Sequence, residues 1–343
     1  MKILLALTLV LAFGTLGLSN ACGKVADRRL DIYWIDVEGG AATLIVTPRG
    51  GSLLVDTGYP GHRDADRIVK VATRVAGLRQ LDHVIITHYH VDHFGGAATL
   101  HSVLPIKHLH DNGIFEGSVD RPDQAYLDLK LERSVISPGD VILSEPSSQG
   151  IPALTVRCLG ARQQAMAAAS DAEPTPGCAD AAPRPVDNTD NANSVVTLVT
   201  FGNFQFFDAG DLTWNLEKNL VCPTNRVGRV DVYQTTHHGM DVSNHPLVIR
   251  ALAPTVAVFN NGATKGCEPQ TFYTLKATPS VEAVYQMHRN LRGDGSPNTD
   301  EQHIANDTRQ CEANFIQLSV DSTAATYTVH IPAKKHTRTF HTR

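Results

Sequence analysis

The run Thr87-His88-Tyr89-His90-Val91-Asp92-His93 constrains this chain more than any other feature. It stands directly behind His83-Val84-Ile85-Ile86, a short apolar stretch that reads as a buried strand. Three histidines and one aspartate therefore gather where a strand leaves the core. Imidazole nitrogens with a carboxylate oxygen are a ligand set for zinc, or for manganese or iron where more oxygen is present. In an extended segment, residues two apart point to one side, so His88 and His90 can share one cation. Asp92 and His93 follow one short turn later and can reach a second.

Two later segments complete such a site. Phe207-Asp208-Ala209-Gly210-Asp211 ends an apolar strand with two carboxylates, and Thr236-His237-His238-Gly239 ends another with two histidines. A carboxylate is the natural bridge between two cations about 3.5–4 Å apart. Asp211 is assigned that bridge, and Asp208 reads as structural. The spacing hardly separates His237 from His238. His238 is taken as the ligand, with His237 as proton donor or substrate contact. Asp56 is expected to accept a hydrogen bond from a ligand histidine. His101, His108 and His110 read as ordinary surface or half-buried histidines. Asn260-Asn261-Gly262 with Lys265 reads as a plain loop.

The surrounding pattern is β-rich. Residues 31–37, 42–47 and 52–56 form a meander separated by Gly39-Gly40 and by Pro48 to Gly51. Ile68, Val69, Ala72 and Val75 make one apolar face of a helix expected at about 64–76. A second helix opens at Gly95-Gly96. Strands are expected at 194–200, 203–208, 230–235, 255–259, 282–286, 313–320 and 325–331, and helices at 246–252 and 268–277. Residues 160–192, rich in Ala, Pro, Asp and Asn without periodicity, read as a mobile surface insertion. No domain boundary is visible, so residues 22–343 are taken as one domain. Two β-rich halves with helices after the strands suggest two sheets packed face to face and covered by helices.

The N-terminus reads as an export signal over residues 1–21. Lys2 precedes an almost wholly apolar stretch, and Ser19-Asn20-Ala21 supplies the small residues of a cleavage site. The protein is expected to be periplasmic or extracellular, with no transmembrane span in the mature chain. Cleavage would leave Cys22 first, the position of a lipid anchor, although residues 18–21 fit a lipid-attachment box poorly. None of the six cysteines forms a C-x-x-C pair, which argues against a zinc knuckle. In an oxidising compartment disulfides are the default, and Cys158–Cys178 and Cys267–Cys311 are the preferred pairs. Thirty basic against 35 acidic residues create no global field for polyanions. An extended nucleic-acid surface is not expected, and the oligomeric state is not legible.

The order H-x-H-x-D-H, then strand–Gly-Asp, then strand–His resembles the metallo-β-lactamase superfamily over about residues 31–331. The resemblance implies an α/β fold, a four-layer αββα sandwich, with a dinuclear centre at the sheet edge. Further motifs resemble the hydrolase domain of ComEC/Rec2-type competence proteins and the phosphorylcholine esterases. These are Ile35-Asp36-Val37-Glu38-Gly39-Gly40-Ala41, Leu54-Val55-Asp56-Thr57-Gly58, Asn191-Ala192-Asn193-Ser194 and His237-His238-Gly239. Many superfamily members place another histidine between the first run and the bridging aspartate, but none stands between Asp111 and Asp211 here. Asn193 lies near that place, beside the substrate or behind a ligand. The first of two divalent ions would then take His88, His90 and Asp211, and the second Asp92, His93, Asp211 and His238. The implied activity is hydrolysis by a metal-activated hydroxide, most readily of small phosphodiesters. Esters, lactones or β-lactams are the alternative substrates, and a non-catalytic metal-binding role is the alternative from another class.

Overall fold

The computed structural model describes residues 27–168, 174–293, 295 and 297–343. The expected export signal and Cys22 lie outside the described residues. The chain first builds one sheet from β1 (Leu30–Trp34), β2 (Thr43–Val46), β3 (Ser52–Val55), β4 (Leu81–Ile85), β5 (Ile106–Asp111) and β6 (Glu132–Val135). It then builds a second from β7 (Val141–Glu145), β8 (Leu154–Ala161), β9 (Gln164–Ala165), β10 (Val196–Phe201), β11 (Phe204–Asp208), β12 (Val232–Gln234), β13 (Val256–Phe259), β14 (Ala283–His288) and β15 (Ile304–Asn306). Strands β16 (Ile316–Val320), β17 (Thr326–Ile331) and β18 (His336–His341) return to the first sheet beside β1.

Alternation along the strands explains the layering. Ile32, Trp34, Leu53, Val55 and Ile85 of the first sheet meet Val156, Val199, Phe206, Val232 and Val258 of the second in one buried core. The intervening residues of the first sheet, such as Leu44, Leu54 and Val84, pack outward beneath α1 (His62–Val69), its π-helical continuation Lys70–Val75, α2 (Val91–Phe94) and α3 (Ala97–Val103). The short α4 (Gln124–Leu127) adds Tyr126 to that layer. On the far side, α5 (Trp214–Val221), α6 (Pro246–Leu252) and α7 (Pro269–Ala277) cover Phe207, Tyr233, Ala257 and Val284. The result is the expected four-layer αββα sandwich. A polar tie crosses the central core: the Trp34 indole and the Thr43 hydroxyl donate to Gln234 Oε1 at 2.7 and 2.8 Å. Among the described residues no helix is long and apolar enough to cross a membrane.

Several expectations change in detail. Strands β5 to β9, β15 and β18 and helices α4 and α5 were not foreseen. The segment expected as an insertion at 160–192 begins as the end of β8 and as β9. It ends in a buried 3-10 turn, Asp190–Asn193. Neither preferred disulfide forms. Cys178 instead pairs with Cys222, while Cys158, Cys267 and Cys311 are free thiols. The reason is the sheet itself. Cys158 faces the core between the sheets, whereas Cys178 packs on the outer, helical side of the second sheet beside Cys222. Cys267 is sealed under that outer layer, and the Cys311 thiol donates to Asp36 Oδ2 at 2.9 Å.

Two outcomes are expected from this packing. The Cys178–Cys222 bridge spans 44 residues, so Cys222→Ser should lower unfolding free energy by about 4 kcal/mol on loop-closure entropy, read by urea denaturation. Glu217 in α5 is buried with one carboxylate oxygen unpartnered, and burial pushes its carboxyl up to about 7. The folded state then binds the extra proton between the ordinary glutamate range and pH 7. Its contribution to stability is full at low pH and is lost as pH rises through about 7. Melting temperatures at pH 5 and pH 8 should fall further apart for the wild-type chain than for Glu217→Gln.

Candidate metal centre at the sheet edge

The parallel strands β3, β4, β11, β12 and β13 all end at one edge, and the turns that follow them carry the polar residues. Asp56 follows β3 in a left-handed conformation (φ 62°). Its Oδ1 accepts the Thr87 amide at 2.8 Å, and its Oδ2 accepts the Thr87 hydroxyl at 2.8 Å and His93 Nδ1–H at 2.7 Å. Because Thr87 Oγ1 has spent its proton, it accepts from His88 Nδ1 at 3.1 Å. The third buried imidazole, His238, donates its Nδ1 proton to the Asn260 carbonyl at 3.3 Å. All three rings thus use Nδ1 outward and turn Nε2 inward. The Nε2 atoms of His88, His93 and His238, and Oδ1 of Asp211, are buried with no hydrogen-bond partner.

These atoms surround the other Asp211 oxygen. Asp211 Oδ2 lies 3.2 Å from His93 Nε2, 3.4 Å from His238 Nε2, 3.4 Å from His237 Nε2 and 4.0 Å from His88 Nε2. Asp92 Oδ2 lies 3.6 Å from His93 Nε2 and 3.4 Å from His238 Nε2. Donors bound tetrahedrally to zinc at about 2.0–2.2 Å stand about 3.3 Å from each other. Asp92, His93, Asp211 and His238 therefore surround a position suited to one cation, with Lys265 on Asp92 Oδ2. Burial disfavours charge on Asp92, His93 and Asp211, but the clustered charges overrule it. Asp211, Asp56 and Asp92 hold His93 well above the ordinary histidine range. His93, His237 and His238 pull Asp211 well below the carboxylate range. So concentrated a demand for positive charge beside unpartnered lone pairs suits a divalent ion.

The other expected residues are placed unequally. The His90 ring lies 4.7 Å from that of His88, yet its Nε2 meets Asp120 Oδ2 at 3.2 Å, a partner absent from the sequence reading. His237 is 12% exposed against 0% for His88, His93 and His238 and 27% for His90, and burial lowers its pKa to about 4. Asn193 stands one step back: its amide donates to Asp190 Oδ1 at 2.9 Å, and Asp190 Oδ2 accepts the Tyr89 amide at 2.6 Å. The neighbouring Ser194 hydroxyl accepts the Asp211 amide at 3.2 Å. Asp208 caps the turn by accepting the Gly210 amide at 3.0 Å and lies behind Asp211 rather than among the rings.

The loop at 260–268 is not a plain one. It supplies the carbonyl that orients His238, and Lys265 Nζ is paired with Asp92 Oδ2. His237 and His238 both have positive φ (53° and 55°), which costs non-glycine residues energy. The loop holds them there, with the Cys267 amide on the His238 carbonyl and the Glu268 amide on the Gly239 carbonyl, each at 2.9 Å. Gly266 (φ +77°) permits that approach, since a Cβ there would fall 2.1 Å from the His238 carbonyl oxygen. Histidines at positive φ are a tertiary outcome, and only the Gly-rich neighbourhood of Lys265 hinted at it.

The geometry separates the two strand-end carboxylates experimentally. Asp211→Asn should lose at least one equivalent of metal by elemental analysis, with metal-free melting nearly unchanged. Asp208→Asn should keep the metal content. Burial already raises the Asp208 carboxyl to about 7, so an amide mimics its protonated form. Metal loss from Asp208→Asn alone would reverse the two assignments.

Residues 35–154 match the sequence model of the metallo-beta-lactamase superfamily. No curated protein matches the chain in sequence. Among solved structures, the metallo-beta-lactamase fold protein YhfI from Bacillus subtilis is similar at 12% identity and a TM-score of 0.46, over 75% of this chain and 96% of that one. CmlA, a diiron beta-hydroxylase from Streptomyces venezuelae, is similar at 14% identity and a TM-score of 0.41, over 74% and 52%. A metallo-beta-lactamase from Cronobacter sakazakii is similar at 16% identity and a TM-score of 0.34, over 59% and 73%. Likeness at this level carries nothing about substrate. The matched segment contains the histidine run, and the αββα sandwich delivers that run to the sheet edge.

Proposed function

We propose that this protein is an exported hydrolase of small phosphodiesters, akin to the competence-type and phosphorylcholine-esterase-like branch of the metallo-beta-lactamase superfamily, whose members are mostly metal-dependent hydrolases. The observation that carries the reading is the set of four buried, unpartnered ligand atoms on His88, His93, His238 and Asp211. Two divalent ions, zinc or else manganese or iron, would be held by His88, His90 and Asp211 and by Asp92, His93, Asp211 and His238. When bound, the metals supply an activated hydroxide and neutralise charge on the substrate.

The protein's own groups do the rest. Asp56 and Asn260 set the tautomers of His93 and His238, which keeps their Nε2 lone pairs available. His237, 12% exposed beside the sealed rings, would contact the substrate. Lys265 brings a fixed cation to the site beside Asp92, where it would contact a non-bridging phosphate oxygen. A cleft lined by Glu38, Tyr59, Pro60 and Arg63 opens nearby, where Arg63 lies over the Tyr59 ring and is paired with Glu38 and Asp64. The apolar segment before Ala21 and the Cys178–Cys222 bridge support export.

Metal-loaded protein should turn over bis(p-nitrophenyl) phosphate faster than any member of a lactone panel or nitrocefin. Turnover of nitrocefin or a lactone alone would replace the phosphodiester assignment. Lys265→Met should raise KM for the phosphodiester about tenfold, the loss expected of one charge-assisted hydrogen bond of about 1.5–3 kcal/mol. An unchanged KM would remove Lys265 from substrate binding.

A further inference from the structure

A second cluster of imidazoles lies on the body of the first sheet, away from the turns at its edge. In the parallel strands β4, β5 and β6, His83 registers with His108 and His108 with Glu132, while Ile85 registers with His110 and His110 with Ser134. Registered residues of parallel strands share a face, so three histidines, one glutamate and one serine stand together in two adjacent rows. His83 Nδ1 lies 3.0 Å from His110 Nε2. The His108 and His110 rings stack with centroids 4.1 Å apart and planes within 4°. His108 Nδ1 is 3.6 Å from Glu132 Oε1, and its Nε2 is 2.6 Å from Ser134 Oγ. One ring nitrogen from each of the three histidines lies within 4.8 Å of the others.

We propose that His83, His108 and His110 form a further, mononuclear binding site for a divalent cation of the zinc class, distinct from the centre at the sheet edge. Two imidazoles 3.0 Å apart must share one proton between two lone pairs. A cation at about 2.0–2.1 Å from each would replace that proton and use both, and His108 joins it by turning its ring out of the stack on His110 and off Ser134 Oγ. Neutral rings are what a metal requires. Burial, with His108 and then His83 alongside, pushes His110 down to about 3, and burial with His108 also lowers His83. The cluster is not an ordinary ion pair, because the carboxylate beside His108, Glu132, is three-quarters exposed. That carboxylate, or water, would be the fourth ligand. Three nitrogen donors favour zinc, copper or nickel and disfavour calcium or magnesium, which take oxygen. The two clusters share no residue, so this site stands whether or not the phosphodiester reading holds.

The test is Zn²⁺ stoichiometry of the full chain, by calorimetric titration and elemental analysis. His83→Asn/His108→Asn should bind one equivalent fewer than the wild-type chain and keep phosphodiester turnover within twofold. In a His88→Ala/His238→Ala chain, with the edge centre crippled, one equivalent should remain and should vanish when the His83 and His108 changes are added. The same number of equivalents with and without those changes would overturn the proposal. Should the double variant fail to fold, His108→Gln, at a half-buried position on the sheet face, should weaken one Zn²⁺ equivalent at least tenfold. An unaltered isotherm in that folded variant would overturn the proposal equally.

Discussion

A buried carboxylate oxygen surrounded by imidazoles is the constraint on which the rest of this molecule depends. Asp211 Oδ2 has four histidine Nε2 atoms within 4.0 Å, yet the side chain is 3% exposed. A carboxylate so deeply buried is costly unless opposing charge meets it, and the rings can supply that charge only if their own orientation is held. The strands do the holding. β4 delivers His88 and His93, β11 delivers Asp211 and β12 delivers His237 and His238. Their relative positions are set by the apolar core between the sheets, not by the polar groups.

Orientation of the rings is a matter of tautomers. Thr87 donates to Asp56 and can therefore only accept from His88. Asp56 also takes the His93 proton, and the Asn260 carbonyl takes that of His238. Each bond lies on the side away from the cluster, so each leaves Nε2 facing in. The left-handed backbone at His237 and His238 is the local cost of bringing two consecutive rings to one edge, and the amides of Cys267 and Glu268 maintain it. The loop bearing Lys265 thus shapes the centre as well as contributing charge to it.

Legibility in the sequence followed periodicity. The strands around 31–35, 43–46, 52–55, 196–201 and 204–208 alternate or run apolar, and they were readable. β5, with Lys107, His108 and His110, and the mostly exposed β6 break the apolar pattern. β8 carries Arg157 and Gly160 within an otherwise buried strand. The disulfide was misjudged because spacing says nothing about which face of a sheet a cysteine occupies. Asp120 and Lys265, at positions 30 and 173 residues from the side chains they contact, carry no local mark of their partnership.

By itself the sequence determined the layer architecture and the ligand types. Both are properties of short windows: alternating hydrophobicity dictates which face a strand buries, and a strand-end run of histidine and aspartate dictates what chemistry can emerge there. Only the tertiary structure decided which nitrogen of each ring faces inward, that His90 turns toward Asp120, that Lys265 joins Asp92, and that His83 meets His108 and His110. Those outcomes depend on hydrogen bonds and strand register between segments far apart in the chain. Such contacts are chosen by the packing of the two sheets as a whole, and no window of sequence contains both partners.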